Sequence, residues 1–411
     1  MIATNLRASF AQLPHLGGLP TRANTSVTLQ HIPGQTLRGA LASAYLRTHG
    51  RAAVNTPEFV RLFEGGVRFG PLLPASRRPS PLSLREHKYS RTPGCDEDVD
   101  LALDPEAKHL EVCKTCGSPL ELGKGILKKS IESVATRRHT AVDEAGQAAK
   151  GQLFGREVLL DERFEGPLIG EPELLDQLKK LDEAWIGGRT TTHGRARLSW
   201  DADGEGVGTP LVIDGILVLR LVSDAIFVDT EGFPTRLPDL NQIAGVLQLK
   251  PDQLTLQRSW TRWNQVGGHH AASSLPKHME STATAGSTYR IDLGGSTPSP
   301  EALQRLHLHG VGIRRHEGFG HLDLVRPPLN LETVRRLMDL QHNATAFDIL
   351  QTFGGVDPVR AARARQALTR LVIPEIRQNP AYYSPLLVAS IEYILGLSEV
   401  DLRRAAKEWT P

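Results

Sequence analysis

Apolar and polar positions alternate over residues 2–10 (Ile2, Leu6, Ala8, Phe10), the period of a half-buried strand. A loop rich in glycine and proline follows from Leu16 to Pro20, and Thr25 to Leu29 reads as a second extended piece. Pro33-Gly34 marks a turn, and Leu37, Leu41 and Tyr45 then recur at helical spacing up to Gly50. Residues 71–93 have no clear period, and residues 95–125, which hold all three cysteines, read as an insertion. Ile131 to Gly146 is polar and basic, with the character of a flexible stretch, while Leu153 to Ile169 reads as strands. Leu174 to Trp185 predicts a short helix with Leu178 and Leu181 on one face. It leads into a glycine-rich loop, Gly187 to Arg195, and a strand, Ala196 to Trp200.

Past a turn-rich boundary at residues 201–208 the order recurs. Leu211 to Val228 is strand-rich, Trp260 to Met279 reads as an irregular loop, and Ser287 to Leu293 as a strand. Pro300 to His309 predicts a helix, followed by a second loop rich in glycine and arginine, Gly310 to Gly320, and a strand, His321 to Val325. Each half thus ends as helix, glycine-rich loop and strand, which predicts two related α+β units. The expected boundaries are 1–205, 206–330 and a helical region, 331–411, where Leu337, Leu340, Val372, Ile376, Ile391 and Ile394 are the apolar positions.

Composition sharpens this picture in two respects. With 40% hydrophobic and 23% charged residues among 411, the chain is of ordinary globular type, which excludes a disordered or fibrous protein. A net charge of +2 excludes a uniformly basic, histone-like surface. Only 12 of the 48 basic residues are lysine, and arginine is the residue whose planar fork fits phosphates and guanines. A GC-rich genome gives the same ratio, so the position of the arginines decides. No leader is evident at the N-terminus, and Leu211 to Val228 is interrupted by Asp214, Arg220 and Asp224, so no membrane span is expected. Three cysteines do not suggest a disulfide framework, and a reducing, cytoplasmic location is the expectation.

The candidate chemistry lies in five places. In the first glycine-rich loop, backbone N–H groups, Arg189, Arg195 and the hydroxyls of Thr190, Thr191 and Thr192 can surround a phosphate, with His193 beside them. The second loop repeats this with Arg314, Arg315 and His316, where a contact with another subunit is the competing reading. Arg38 opens the helix after Pro33-Gly34; the alternative there is plain packing, with Gly39 allowing a close helix approach. Arg137, Arg138 and His139 form a basic triplet that also fits a solvated charge run. Trp260, Arg262 and Trp263 offer stacking groups, with Lys277 further along the same loop, although tryptophan is equally a core residue. Separately, Cys113-Lys114-Thr115-Cys116-Gly117 is a knuckle that brings two thiolates to one ion, with Cys95, separated from Cys113 by seventeen residues, as a third ligand. A closed, structural zinc site is expected.

Several of these stretches resemble the RAMP superfamily of CRISPR RNA-binding proteins: Ile32-Pro33-Gly34-Gln35-Thr36-Leu37-Arg38-Gly39-Ala40-Leu41, the two glycine-rich loops, and the block Leu275-Pro276-Lys277 through Ala285-Gly286-Ser287. The combination is most similar to the Csx-ten family, the Cas-five-like subunit of type III-D effectors, over residues 1–325. The resemblance implies a tandem of ferredoxin-like, RRM-type domains carrying a zinc-knuckle insertion at about 85–125. It further implies a non-catalytic subunit that caps the crRNA at its 5′ repeat-derived tag. Its partners would be a Cas-seven-like backbone and a Cas-ten-like large subunit, with target RNA met indirectly. Because related insertions carry a Cys/His pair upstream of the knuckle, His87 is the expected fourth zinc ligand, with His109 as the rival. The alternative activity is a metal-independent RAMP endoribonuclease acting on precursor crRNA, with His193 or His316 as acid or base.

Overall fold

A computed structural model describes residues 1–17, 25–74, 78–89, 99–103, 111–113, 116–123, 134–142, 144–160, 163–188, 192–201, 210–213, 215–270, 273, 275–323, 340, 345–353, 364–365, 368, 372, 384–398, 401–402 and 404–405. The alternation at the start of the chain becomes strand Ile2–Phe10, whose Leu6 and Ala8 are fully buried. It lies between Arg195–Trp200 and Arg163–Gly170, antiparallel to both, with Leu6 opposite Trp200 on one side and Gly166 on the other. Val67–Phe69 and Leu73–Pro74 continue the sheet beyond Arg163–Gly170, and Glu183–Trp185 extends it past Arg195–Trp200. Helices α1 (Gly34–His49), α2 (Pro57–Phe63) and α3 (Pro172–Leu178) supply Leu37, Leu41, Phe59, Phe63, Leu174 and Leu178 to the core on this sheet. Setting aside the edge strand Glu183–Trp185, the short pieces α2 and Leu73–Pro74 and what is inserted before Arg163–Gly170, the run is strand, helix, strand, strand, helix, strand. The spatial order is fourth, first, third, second, the ferredoxin-like connection.

The second half repeats that order. Its strands are Ile216–Leu221, Thr255–Trp260, Thr288–Asp292 and Leu322–Asp323, and its helices are α4 (Leu240–Leu247) and α5 (Pro300–His309). Leu322–Asp323 pairs with Ile216–Leu221, which pairs with Thr288–Asp292, which pairs with Thr255–Trp260. A separate apolar core, with Leu217, Leu219, Ile243, Leu247, Tyr289, Ile291, Ala302 and Leu306, fills the space under α4 and α5. Local sequence accounts for α5: Ser299 caps it by accepting from the Ala302 amide, Pro300 opens it, and Gly310, at φ +64°, ends it.

Both halves carry their large insertion at the same place, between the second and third strands. In the first half this is a three-stranded sheet (Leu84–His87, Val99–Asp100, Leu120–Leu122) followed by a long hairpin, Val134–Val142 against Ala148–Leu159. In the second half it is an arm of two short ladders, Trp263–Val266 with Glu280–Ala283 and His269–His270 with Leu275–Pro276. The three-stranded insertion packs on the second half: Leu82, Leu101 and Ala102 bury against Ile216, Val218 and Trp260. Arg220 is ion-paired with Asp100 there, and Arg290 donates to the Ala102 carbonyl at 2.7 Å.

The two halves meet where the start of α1 touches the second glycine-rich loop. A Cβ on Gly34 would overlap the Phe69 carbonyl oxygen and come within 2.6 Å of the Gly318 Cα. Gln35 Nε2 donates to the Gly267 carbonyl at 2.9 Å, and Ala3, Ile169 and Leu308 close the far side of the joint. All of this lies in one compact unit, Met1–Thr92 with Glu97–Val325; the second unit is Pro93–Asp96 with Arg326–Pro411. In the second unit, helices Ala346–Phe353 and Pro385–Gly396 bury Ile349, Leu350, Leu387, Ile391 and Ile394 together. No helix among the described residues is long and apolar enough to cross a membrane.

Four local expectations are corrected. The stretch expected to be flexible, Ile131 to Gly146, contains the strand Val134–Val142. The stretch expected to be an irregular loop, Trp260 to Met279, contains the two-ladder arm. The helix expected to reach Trp185 stops at Leu178, and Glu183–Trp185 is a strand instead. Gly39 is exposed with open space around its Cβ position; the close approach belongs to Gly34. Gly34→Ala should therefore cost roughly 1–3 kcal/mol through overpacking against backbone that cannot rotate away. Gly39→Ala should instead stabilise by about 0.4–1 kcal/mol. Urea unfolding of the two variants checks this; equal effects would contradict the assignment of the joint to Gly34.

Candidate nucleic-acid interface

The first glycine-rich loop is folded onto the chain's own N-terminal segment. Gly187 and Gly194 have φ of +103° and +78°, and a Cβ on Gly187 would lie 2.6 Å from the His15 carbonyl oxygen. Gly188 N–H donates to that same oxygen at 3.0 Å, and Gly194 N–H to the Gln12 carbonyl at 3.1 Å. The glycines thus serve close backbone contact, but with residues 12–15. Arg189, Thr190 and Thr191 lie outside the described residues.

What this folding produces is a cluster of histidine and arginine drawn from four segments. His193 is buried; its Nδ1 pairs with the Thr192 hydroxyl at 2.8 Å, and its Nε2 has no partner among the described residues. His15, also buried, donates from Nδ1 to the Glu157 carbonyl at 2.8 Å, which leaves Nε2 to accept from the Ser26 hydroxyl at 3.2 Å. The hairpin supplies the rest: Arg137 stands opposite Arg156, and His139 opposite Phe154, on which its ring stacks at 5.3 Å. Burial first, then the charges of Arg137 and Arg156 with His15 and His139, hold the His193 imidazole below its usual value. The Arg137, His139 and His193 expectations therefore converge, and strand alternation puts Arg138 on the other face. His15 and Arg156 complete the cluster; neither has a local motif, and only the tertiary fold brings them there.

The remaining candidates are dispersed. Arg195 turns away from the loop to an ion pair with Glu183, near the Trp185 ring. Trp260 is 9% exposed and belongs to the core, whereas Trp263 is 50% exposed with the Arg236 guanidinium 5.4 Å from its ring centre. Arg262 is exposed. Lys277 is ion-paired with Glu317 at 2.6 Å, and Arg314, at φ +53°, is held by Glu317 and Glu280, both at 2.9 Å. Arg38 pairs with Glu64 at 3.2 Å, and His316 lies in the field of Glu317, Arg38 and Glu64. The second loop is thus a braced part of the joint between the halves, whereas the first carries a cluster of buried histidines beside the exposed Arg137.

The knuckle is also assembled. His87, on the strand Leu84–His87, places Nε2 3.2 Å from Cys116 Sγ. The ligand atoms of His87, Cys113 and Cys116 all lie within 4.8 Å of one another. Gly117, at φ +69°, turns the chain just after Cys116, its N–H donating to the Cys113 carbonyl at 2.9 Å. Two thiols and an imidazole at this separation suit a zinc ion. Cys95 and His109 lie outside the described residues.

A scan against protein-family models finds no match, and a search of the curated proteins finds none either. Among solved structures, a chain of the type III-B Cmr-beta complex bound to cognate target RNA is similar at TM-score 0.40 and 10% identity, over 70% of this chain and 86% of that one. A RAMP protein binding different RNA substrates is similar at TM-score 0.32 and 8% identity, over 79% and 100%. A chain of the Csm3–Csm4 subcomplex from a type III-A CRISPR-Cas interference complex is similar at TM-score 0.34 and 12% identity, over 73% and 99%.

Titration at the joint sets the acid response of the fold. His321 is buried and its pKa lies well below 6.5, chiefly from burial and then from Arg68. Glu317 is held at about 2 by Arg314 and Lys277, against its own burial. The unfolded chain takes up a proton at His321 that the folded chain refuses. This stability is therefore present above pH 6.5 and is lost as pH falls below it, by up to about 1.4 kcal/mol per pH unit. The Glu317 contribution is lost only below 4.5. Urea unfolding at about pH 7.5 and about pH 5.5 should show the loss well before carboxylates protonate; equal stability at both would contradict it.

Proposed function

We propose that the chain is a CRISPR RNA-binding subunit of the RAMP superfamily, of the Csx-ten kind, which caps the crRNA at its 5′ repeat-derived tag in a type III-D effector complex. The observation that carries the reading is the cluster of Arg137, His139, Arg156, His15 and His193 around the first glycine-rich loop. Phosphates are held by such fixed guanidinium and imidazole donors, and a splayed base can stack beside them. The repeated strand–helix–strand–strand–helix–strand order places this loop after the third strand of the first half, beside the inserted hairpin. The two supports are independent, since one is motif and the other geometry. Cas-seven-like and Cas-ten-like subunits are the partners this role requires.

The second reading is a metal-independent endoribonuclease, favoured by the unpartnered His193 Nε2 beside two arginines. We place binding first, because the cluster gathers guanidinium and imidazole groups from several segments around one loop. In filter binding to a repeat-derived single-stranded RNA, Arg137→Ala and Arg156→Ala should each weaken affinity. Each should also lower the slope of log K against log salt by about 0.7 for every phosphate that its guanidinium neutralises in the wild type. Unchanged affinity and slope would remove the cluster from the interface. Cleavage of the same RNA by the wild type, abolished in His193→Ala, would replace binding by catalysis.

We further propose a structural zinc held by Cys95, Cys113 and Cys116, with His87 as the fourth ligand and His109 as the rival of His87. Bound there, the ion would tie the knuckle to the three-stranded insertion that covers the second half. Elemental analysis of purified full-length protein should find about one zinc per chain. That content should fall in Cys95→Ser, Cys113→Ser and Cys116→Ser, and in His87→Ala or His109→Ala according to the fourth ligand. Zinc-free wild-type protein of unchanged stability would refute the site.

A further inference from the structure

We propose that the arm of the second half is a contact for single-stranded RNA, in which a base stacks on the Trp263 indole and Arg236 and Arg262 hold the phosphates beside it. The ligand class rests on the RNA-binding reading above; the site is separate from the first-loop cluster. Trp263 opens the strand Trp263–Val266 and is 50% exposed, although tryptophan is on average a well-buried residue. Its backbone is fixed on both sides. Strand pairing sets it opposite the fully buried Ala283, and the carbonyl of Arg262 accepts from the Thr284 N–H at 3.1 Å. The indole is therefore held out from a paired strand and not from a loop. The Arg236 guanidinium lies 5.4 Å from its ring centre, and the Arg236 carbonyl accepts from the hydroxyl of the buried Tyr289 at 2.7 Å.

Charge separates the two faces of the arm. From Gln253 to Met279 the chain has no aspartate or glutamate, while it has Arg258, Arg262, Lys277 and three histidines. The carboxylates near the arm lie on the side away from Trp263. Asp224 accepts from Asn264 Nδ2 and from the Ala285 N–H, both at 2.8 Å, and strand alternation puts Asn264 on the face opposite Trp263. Glu280, across from Val266, shares the Asn264 face and is paired with Arg314. Lys277 is engaged by Glu317, whereas Arg236 and Arg262 meet no carboxylate among the described residues. A half-exposed indole with guanidiniums beside it, on a face without carboxylates, fits a flat uncharged base carried on an anionic backbone. An acidic protein segment would answer the charge and leave the ring without a flat partner. A duplex keeps its bases stacked on one another and offers none to a side chain.

The test uses full-length protein, a short single-stranded oligoribonucleotide and a ribose-phosphate oligomer of the same length without bases. Trp263→Ala should weaken binding of the oligoribonucleotide about tenfold, and Trp263→Phe should keep most of the affinity. Neither should change the slope of log K against log salt, since no charge is removed, whereas Arg262→Gln should lower it by about 0.7 for each phosphate its guanidinium neutralises. The base-free oligomer should bind wild type and Trp263→Ala equally, which a merely structural Trp263 would not produce. Urea unfolding of each variant separates a folding defect from a lost contact. Oligoribonucleotide binding that falls in Arg137→Ala and is untouched in Trp263→Ala overturns the arm and leaves the first-loop cluster; the reverse pattern leaves the arm and removes the cluster. Equal losses on both oligomers in Trp263→Ala overturn the stacking role. A wild type that binds polyglutamate in place of RNA, less tightly in Arg262→Gln, makes the arm a protein contact and overturns the proposal. A wild type that binds neither oligomer overturns the RNA-binding reading itself and the arm's ligand with it.

Discussion

Two glycine backbones, Gly34 and Gly318, approach each other more closely than any side chain would allow, and the relation of the two halves depends on that approach. It lets the first turn of α1 rest on the second glycine-rich loop and on the carbonyl of Phe69. The residues around it then fall into place: Gln35 reaches Gly267, Arg68 reaches the end of α5, and Glu317 gathers Arg314 and Lys277. A loop expected from its composition to face a ligand is therefore largely a structural joint. The burial of Arg68 and His321, with their displaced titrations, is a consequence of this contact.

The two halves use one connection order for different ends. In the first half the loop after α3 and its edge strand is pinned to residues 12–15 and stays next to an inserted hairpin, which gathers buried histidines beside the hairpin arginines. In the second half the loop after α5 is consumed by the joint. The near-zero net charge of the chain is compatible with both, because carboxylates such as Glu280, Glu317, Glu64 and Asp100 are placed against particular arginines. The cationic places that remain, at the first loop and around Arg68, are local departures from that balance.

Elements with strong local signals were legible in the sequence. Strand Ile2–Phe10 buries one face and alternates, and α5 has a serine cap, a proline at its start and a glycine at its end. The hairpin strand Val134–Val142 was not legible, because its residues are exposed or only part-buried and so carry no apolar alternation. The arm strand Trp263–Val266, exposed or part-buried throughout, was hidden for the same reason. Arg137, His139 and His193 could be named from the residues around them. His15 could not, since the bond that orients it reaches a carbonyl 142 residues away. The same limit applies to Gly34: both Gly34 and Gly39 sit in α1, and only the neighbouring half decides which one must lack a side chain.

The docking of the three-stranded insertion on the second half bears on how the chain is made. Asp100 meets Arg220 across 120 residues, and the Ala102 carbonyl meets Arg290 across 188. During synthesis the insertion emerges long before the sheet that will cover Leu82, Leu101 and Ala102, so these apolar side chains wait in water until Ile216, Val218 and Trp260 have been made. Contacts of that sequence separation are slow to close. A ribosome pausing between residues 103 and 216 would therefore hold a nascent chain with an uncovered sticky face, and the speed of elongation through this stretch becomes part of what determines how much of the protein reaches its native form.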